Sequence, residues 1–194
     1  MPNPFAFLAY IVVTAYTPGP NNIMSLSNAS IYGFKKSFPF NLGILCGTLA
    51  VLTLCTIFSA ALLSLIPKIK LALIILGAAY MLFLAYKTLK SSPSAAHGPV
   101  KNRSTLISGV ALQFMNPKII IYAITSMSSF VLPYYQSPLS ITLFILLLAF
   151  TGFSATVCWS LFGAVFNKFL QSHARVINPI MAALLVYCAV SLFL

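Results

Sequence analysis

Apolar residues in this chain run in long blocks, and polar residues gather between the blocks rather than alternating within them. A membrane-spanning helix needs about 20 mostly apolar residues. Stretches of that kind fall at roughly 5–27, 38–64, 69–88, 105–127, 139–163 and 177–194. The pattern predicts an all-α integral membrane protein with six transmembrane helices in a single domain over 1–194. The first stretch is interrupted by Thr17-Pro18-Gly19-Pro20-Asn21-Asn22, and neither half is long enough to span alone. It reads as one broken helix.

A linker at about 91–104, opening with Ser91-Ser92-Pro93-Ser94, separates halves of about 1–90 and 105–194. Each half holds three spans, and an odd number makes the second half enter the membrane in the opposite sense. Similarity between the halves is then that of an inverted repeat, three spans plus three. Gly19-Pro20-Asn21 in span one has its counterpart in Asn116-Pro117-Lys118 at a similar depth in span four, so helices one and four are both expected to break near mid-membrane. Spans two and five carry small faces suited to close helix approach: Gly43 with Gly47, and Gly152, Thr156, Ser160 and Ala164.

The loops give the orientation. Lys35 and Lys36, then Lys87, Lys90, Lys101 and Arg103, then Lys168 and Arg175 fall on one side, against Lys68 and Lys70 on the other. Cytoplasmic loops are the ones enriched in cations, so both termini are expected outside. No cationic residue precedes the first apolar run, so no cleavable signal peptide is expected.

Composition adds one strong constraint. Of 194 residues, 11 are Lys or Arg and none is Asp or Glu. Paired-carboxylate catalysis, Asp-assisted triads, carboxylate metal sites and acidic proton relays are all excluded. The two histidines, His97 and His173, lie in connections, so no nucleophile and base pair at depth and no enzyme is expected. The cations punctuate apolar runs instead of clustering on a water-facing surface, which argues against a nucleic-acid partner. Cys46, Cys55, Cys158 and Cys188 sit inside apolar runs without metal or redox spacing and read as small buried hydrophobes. No cofactor is implied.

Chemistry is left to the breaks. Pro18-Gly19-Pro20 should end one half-helix and start another, leaving N–H groups after Pro20 that suit an anion such as a carboxylate. Asn21 and Asn22 add amides at that depth, and span four supplies Gln113, Asn116, Pro117 and Lys118. Broken backbone survives in a membrane only when buried in protein or lining a watery cavity. Paired breaks in inverted halves point to a transporter's substrate site, with structural kinking as the plainer reading. Lys118 has no side-chain carboxylate to pair with anywhere in the chain. It must meet backbone carbonyls, a lipid phosphate, a substrate anion or water, lose its proton, or snorkel to the interface. Trp159 reads as a packing aromatic before a lid, and Tyr134 and Tyr135 as outer-interface residues.

These residues also carry a resemblance. Thr17-Pro18-Gly19-Pro20-Asn21-Asn22 with the Gly33-Phe34-Lys35 turn, Ala111 through Ile120, Cys158-Trp159, and Leu185 through Val190 resemble the LysE/RhtB-type amino-acid exporter family, particularly its cysteine and O-acetylserine branch. The resemblance covers essentially the whole chain. It implies a bacterial inner-membrane exporter of small amino acids, with motif positions at Pro18, Gly19, Pro20, Asn21, Asn22, Asn116 and Lys118. The absence of acidic residues departs from the family and leaves acidic coupling without a candidate.

The expected site is therefore Pro18, Gly19, Pro20, Asn21, Asn22, Gln113, Asn116 and Lys118, binding a small neutral amino acid. Its partners are that substrate and membrane lipid, with homo-oligomerisation left open. A non-transporting membrane assembly or regulatory protein, whose broken helices grip another span, is the alternative.

Overall fold

The computed structural model describes residues 3–58, 75–90 and 105–190, and every regular element among them is helical. The helices are α1 (Pro4–Tyr16), α2 (Pro20–Tyr32), α3 (Phe34–Ile57), α4 (Ile75–Leu89), α5 (Leu106–Phe114), α6 (Pro117–Thr125), α7 (Pro138–Val165), α8 (Asn167–Ser172) and α9 (Ala174–Val190). A π-helical turn, Ser126–Val131, continues α6. The ends of spans two and three between 59 and 74, the linker 91–104 and the last four residues lie outside the described residues. So do Lys68, Lys70, His97, Lys101 and Arg103.

Local chemistry fixes most of the helix starts. Proline occupies the first turn of α1, α2, α6 and α7, where its missing N–H costs nothing and its fixed φ suits the helix. Asn3, Asn116 and Ser137 cap three of these by accepting from backbone N–H groups, and Thr105 caps α5 through a capping box with Ser108. Gly33 alone joins α2 to α3 at φ 78°, ψ 162°, a conformation that is essentially restricted to glycine.

Two helices, α3 and α7, are each long and apolar enough to cross a membrane. A third crossing forms if α5 and α6 with its π turn count as one span, bent by 65° at the break. Among the described residues α1, α4 and α9 are shorter apolar helices. Large apolar side chains such as Phe5, Ile57, Leu139 and Val165 point outward, as a lipid-facing surface requires.

Glycines set the closest helix contacts. A Cβ on Gly43 would strike the Leu106 carbonyl, one on Gly109 the Phe40 carbonyl, and one on Gly47 the Gln113 side chain, so α3 and α5 touch backbone to backbone. Gly163 plays the same part against Leu26, joining α7 to α2. The small face of α7 thus runs through Thr156, Ser160 and Gly163, all buried, rather than through half-buried Ala164. The connection carrying Lys168 and Arg175 is the helix α8 and the start of α9, not an irregular loop. Among the cysteines only Cys55 is buried, while Cys46 and Cys158 are exposed and Cys188 is half-buried.

Two apolar cores flank the breaks. Phe7 and Ile11 pack with Val51, Leu52, Tyr122, Met127 and Leu148 on one side. Ile23 and Leu26 pack with Phe40, Ile44, Leu84, Leu112 and Leu185 on the other. What lies between them is polar.

Gly33 has open space where a Cβ would go, so Gly33→Ala should cost about 1–3 kcal/mol of backbone strain without any clash. Gly109→Ala, which forces two backbones apart, should lower the unfolding temperature of the detergent-solubilised protein by more than Gly33→Ala does.

Candidate functional site

The α1 helix stops at Tyr16 because Pro18 and Pro20 bring no N–H to continue the ladder. Its last carbonyls are then left without helical partners. Three side chains from other places meet them. Asn22 donates from Nδ2 to the carbonyls of Ala15 at 2.8 Å and Thr17 at 2.9 Å. Trp159 of α7 donates its indole N–H to the Tyr16 carbonyl at 3.2 Å. Lys118 donates from Nζ to the Thr17 hydroxyl at 3.0 Å and the Thr17 carbonyl at 3.2 Å, and reaches the Pro18 carbonyl at 3.5 Å.

Lys118 has therefore found backbone carbonyls at the negative end of the α1 dipole, one of the partners its sequence left open. Asn116 holds the start of its helix by accepting from the Lys118 N–H at 3.1 Å. Gly19 leaves space for the side chain: a Cβ there would stand 3.0 Å from Nζ and 3.2 Å from Cδ. The Cys188 thiol of α9 also donates to the Pro18 carbonyl at 3.6 Å.

Behind this contact lies a buried amide network. Asn21 and Gln113 exchange reciprocal bonds, Nδ2 to Oε1 at 2.8 Å and Nε2 to Oδ1 at 3.1 Å. Asn116 donates to Asn21 Oδ1 at 3.1 Å, and Thr48 to Gln113 Oε1 at 3.3 Å. Gln113 is fully buried. One turn further along α2, Ser25 donates to Asn41 at 2.9 Å and Asn41 to Ser160 at 2.8 Å. Ser160 closes the loop on the Ser25 carbonyl at 3.2 Å.

Two cavities touch Lys118. One of about 30 Å³, room for little more than water, is lined by Gly19, Pro20, Asn21, Asn22, Asn116 and Lys118 among others. The other, about 440 Å³, is lined by Thr17, Pro18, Lys118, Tyr122, Tyr187 and Cys188 among others. Its size falls in the range of about 300–1,000 Å³ usual for small-ligand sites.

All eight residues singled out in the sequence come together here, seven on cavity walls and Gln113 bonded to Asn21. Sequence reasoning missed Asn41, Ser25 and Thr48, and underrated Trp159. A polar residue at an interior position of an apolar helix was the available signal for Asn41 and Thr48. No group of ligands suited to a metal ion is present among the described residues.

Apolar helices that turn large apolar side chains outward and pack around a buried polar network are the architecture of a helical membrane protein. The chain belongs to the LysE type translocator family, which it matches over residues 12–194. It is 40% identical over 185 residues, covering 95% of this chain and 94% of the relative, to a protein of Klebsiella pneumoniae named "Cysteine/O-acetylserine efflux protein". Relatives of the same name from Escherichia coli K12 and Shigella flexneri are 40% identical over 188 residues, covering 97% of this chain and 96% of theirs. No solved structure matches. The protein is a translocator of that family, not an enzyme.

Replacing Asn22 by Leu leaves two freed carbonyls with fewer donors. It should destabilise the folded protein by about 1–3 kcal/mol, read as a lowered midpoint in detergent-phase thermal unfolding. Trp159→Phe, which removes one bond and keeps the ring, should cost about 1 kcal/mol.

Proposed function

We propose that the protein exports small neutral amino acids of the cysteine and O-acetylserine class across the bacterial inner membrane. Six spans form an inverted repeat, spans one and four are broken near mid-membrane, and both termini lie outside. The observation that carries this reading is the meeting of Lys118 with the Thr17-Pro18 carbonyls beside a cavity of about 440 Å³. The relatives named for cysteine and O-acetylserine efflux support the substrate class. The contacts of α5 with α3 and of α1 with α7, like those of α2 with α7 and of α6 with α3, pair corresponding elements of the two halves and support the repeat.

In the proposed bound state the substrate carboxylate takes Lys118 from the Thr17 carbonyl and accepts from backbone N–H groups at the start of α2. Both donors belong to positive ends: an ammonium and a helix N-terminus. The substrate ammonium then meets oxygens, those of the Thr17 carbonyl released by Lys118 and of the Asn21 and Asn116 amides. A second cation on the substrate would find no anion, because the chain contains no Asp or Glu. Lysine and arginine are therefore poor substrates. A net-neutral zwitterion gains nothing from the membrane potential, so accumulation requires an exchanged ion or solute.

Counterflow in liposomes of purified protein, with labelled amino acids at two external pH values, tests this directly. O-Acetylserine or cysteine should exchange and lysine should not; efficient lysine exchange contradicts the charge argument. Lys118→Met should lower exchange by about tenfold or more while membrane abundance holds. Normal exchange by that variant would make Lys118 a structural cap only.

A further inference from the structure

Beyond the amide network, toward the end of the bundle that carries Lys35, Lys36, Lys87, Lys90 and Lys168, lies another cavity of about 310 Å³. It is lined by α2, α3, α4 and α5, and its polar lining includes Ser27, Asn28, Tyr32, Tyr80, Lys87 and Ser108. Asn28 is the anomaly. It is 4% exposed, yet its Nδ2 has no hydrogen-bond partner among the described residues. Buried amide donors in folded proteins are nearly always met, and an unmet one needs an explanation such as a bound molecule. Asn28 also continues the α2 face that carries Asn21 and Ser25, two turns and one turn earlier. It is the next polar group along the line that leads to the breaks.

A water would satisfy the amide alone. The Lys87 ammonium on the cavity wall places a cation at its mouth, in a chain that has no side-chain carboxylate to pair with it. Lys87 rests on the Phe83 ring, 4.0 Å from its centroid, with its charge at the exposed rim.

We propose that this cavity is a loading site, where an amino acid binds before it reaches the breaks, its carboxylate accepting from the Asn28 amide and lying toward Lys87. The proposal rests on the export reading above. Between the two sites stand the Ser25–Asn41–Ser160 bonds and the Asn21–Gln113 pair, side chains that must part for the substrate to pass. Neither Asn28 nor Lys87 touches the site at the breaks, so their loss acts on one face of the membrane only.

Saturable O-acetylserine uptake into everted and right-side-out membrane vesicles separates the faces, since everted vesicles present the Lys87 end to the medium. Asn28→Leu should raise the concentration for half-maximal uptake by about tenfold in everted vesicles and leave it unchanged in right-side-out ones. Lys87→Met, at an exposed position where folding is not at stake, should shift it several-fold in the same vesicles alone, and decides the matter if Asn28→Leu does not fold. An equal shift on both faces, no shift on either, or a shift confined to right-side-out vesicles overturns the loading site. Wild-type vesicles without saturable uptake from either face would overturn the export reading, and the loading site with it.

Discussion

A carbonyl freed from a helix inside a membrane needs a partner, from within the chain or from water in a cavity, so each one that a proline strips from a helix has to be met. At the end of α1 that requirement gathers Asn22, Trp159 and Lys118 from three separate segments onto four residues, Ala15 to Pro18. The rest of the architecture follows from holding these donors in place. Gly19 is small so that Lys118 can reach, and Gly163 lets α7 come close enough to α2 to bring Trp159 in. The apolar cores lie on either side of the amide network behind these contacts, where Asn21, Gln113 and Asn116 are buried, which strengthens the polar contacts there.

In the proposed export cycle the same contacts are the ones that change partner. Lys118 is bonded to neutral oxygens, not to an anion. A carboxylate is a better partner than a carbonyl, since bonds between charged groups are roughly twice as strong as neutral ones. A substrate that takes the lysine also returns the α1 carbonyls to the pool of acceptors for its own ammonium. The missing Asp and Glu residues thus do more than exclude catalysis. They keep the chain from neutralising its own cation.

The place where the two breaks meet was legible in the sequence because it depends on local chemistry. Pro18, Pro20 and Pro117 interrupt helices wherever they stand, and Asn21, Asn116 and Lys118 are polar at apolar depth. Their convergence with Gln113 followed from matching one break to the other. What was not legible depends on helix register across long separations. Asn41 and Ser160 are 119 positions apart, and no spacing rule pairs them. The small face of α7 shifted from Ala164 to Gly163 for the same reason, since one residue turns a helix by about 100°. Trp159 was underrated because its indole N–H answers to a carbonyl, Tyr16, that is free only once Pro18 and Pro20 have ended α1. The resemblance to the exporter family, carried by the same break motifs, agrees with the family membership found over residues 12–194.

The central claim is that Lys118 exchanges a backbone carbonyl for the substrate's carboxylate. Ligand-induced thermal stabilisation of the purified protein isolates it, using cysteine against cysteamine, which lacks only the carboxylate. Wild-type protein should be stabilised by cysteine and scarcely by cysteamine, and in Lys118→Met the difference should collapse. A difference that persists undiminished in Lys118→Met would place the carboxylate elsewhere and contradict the account.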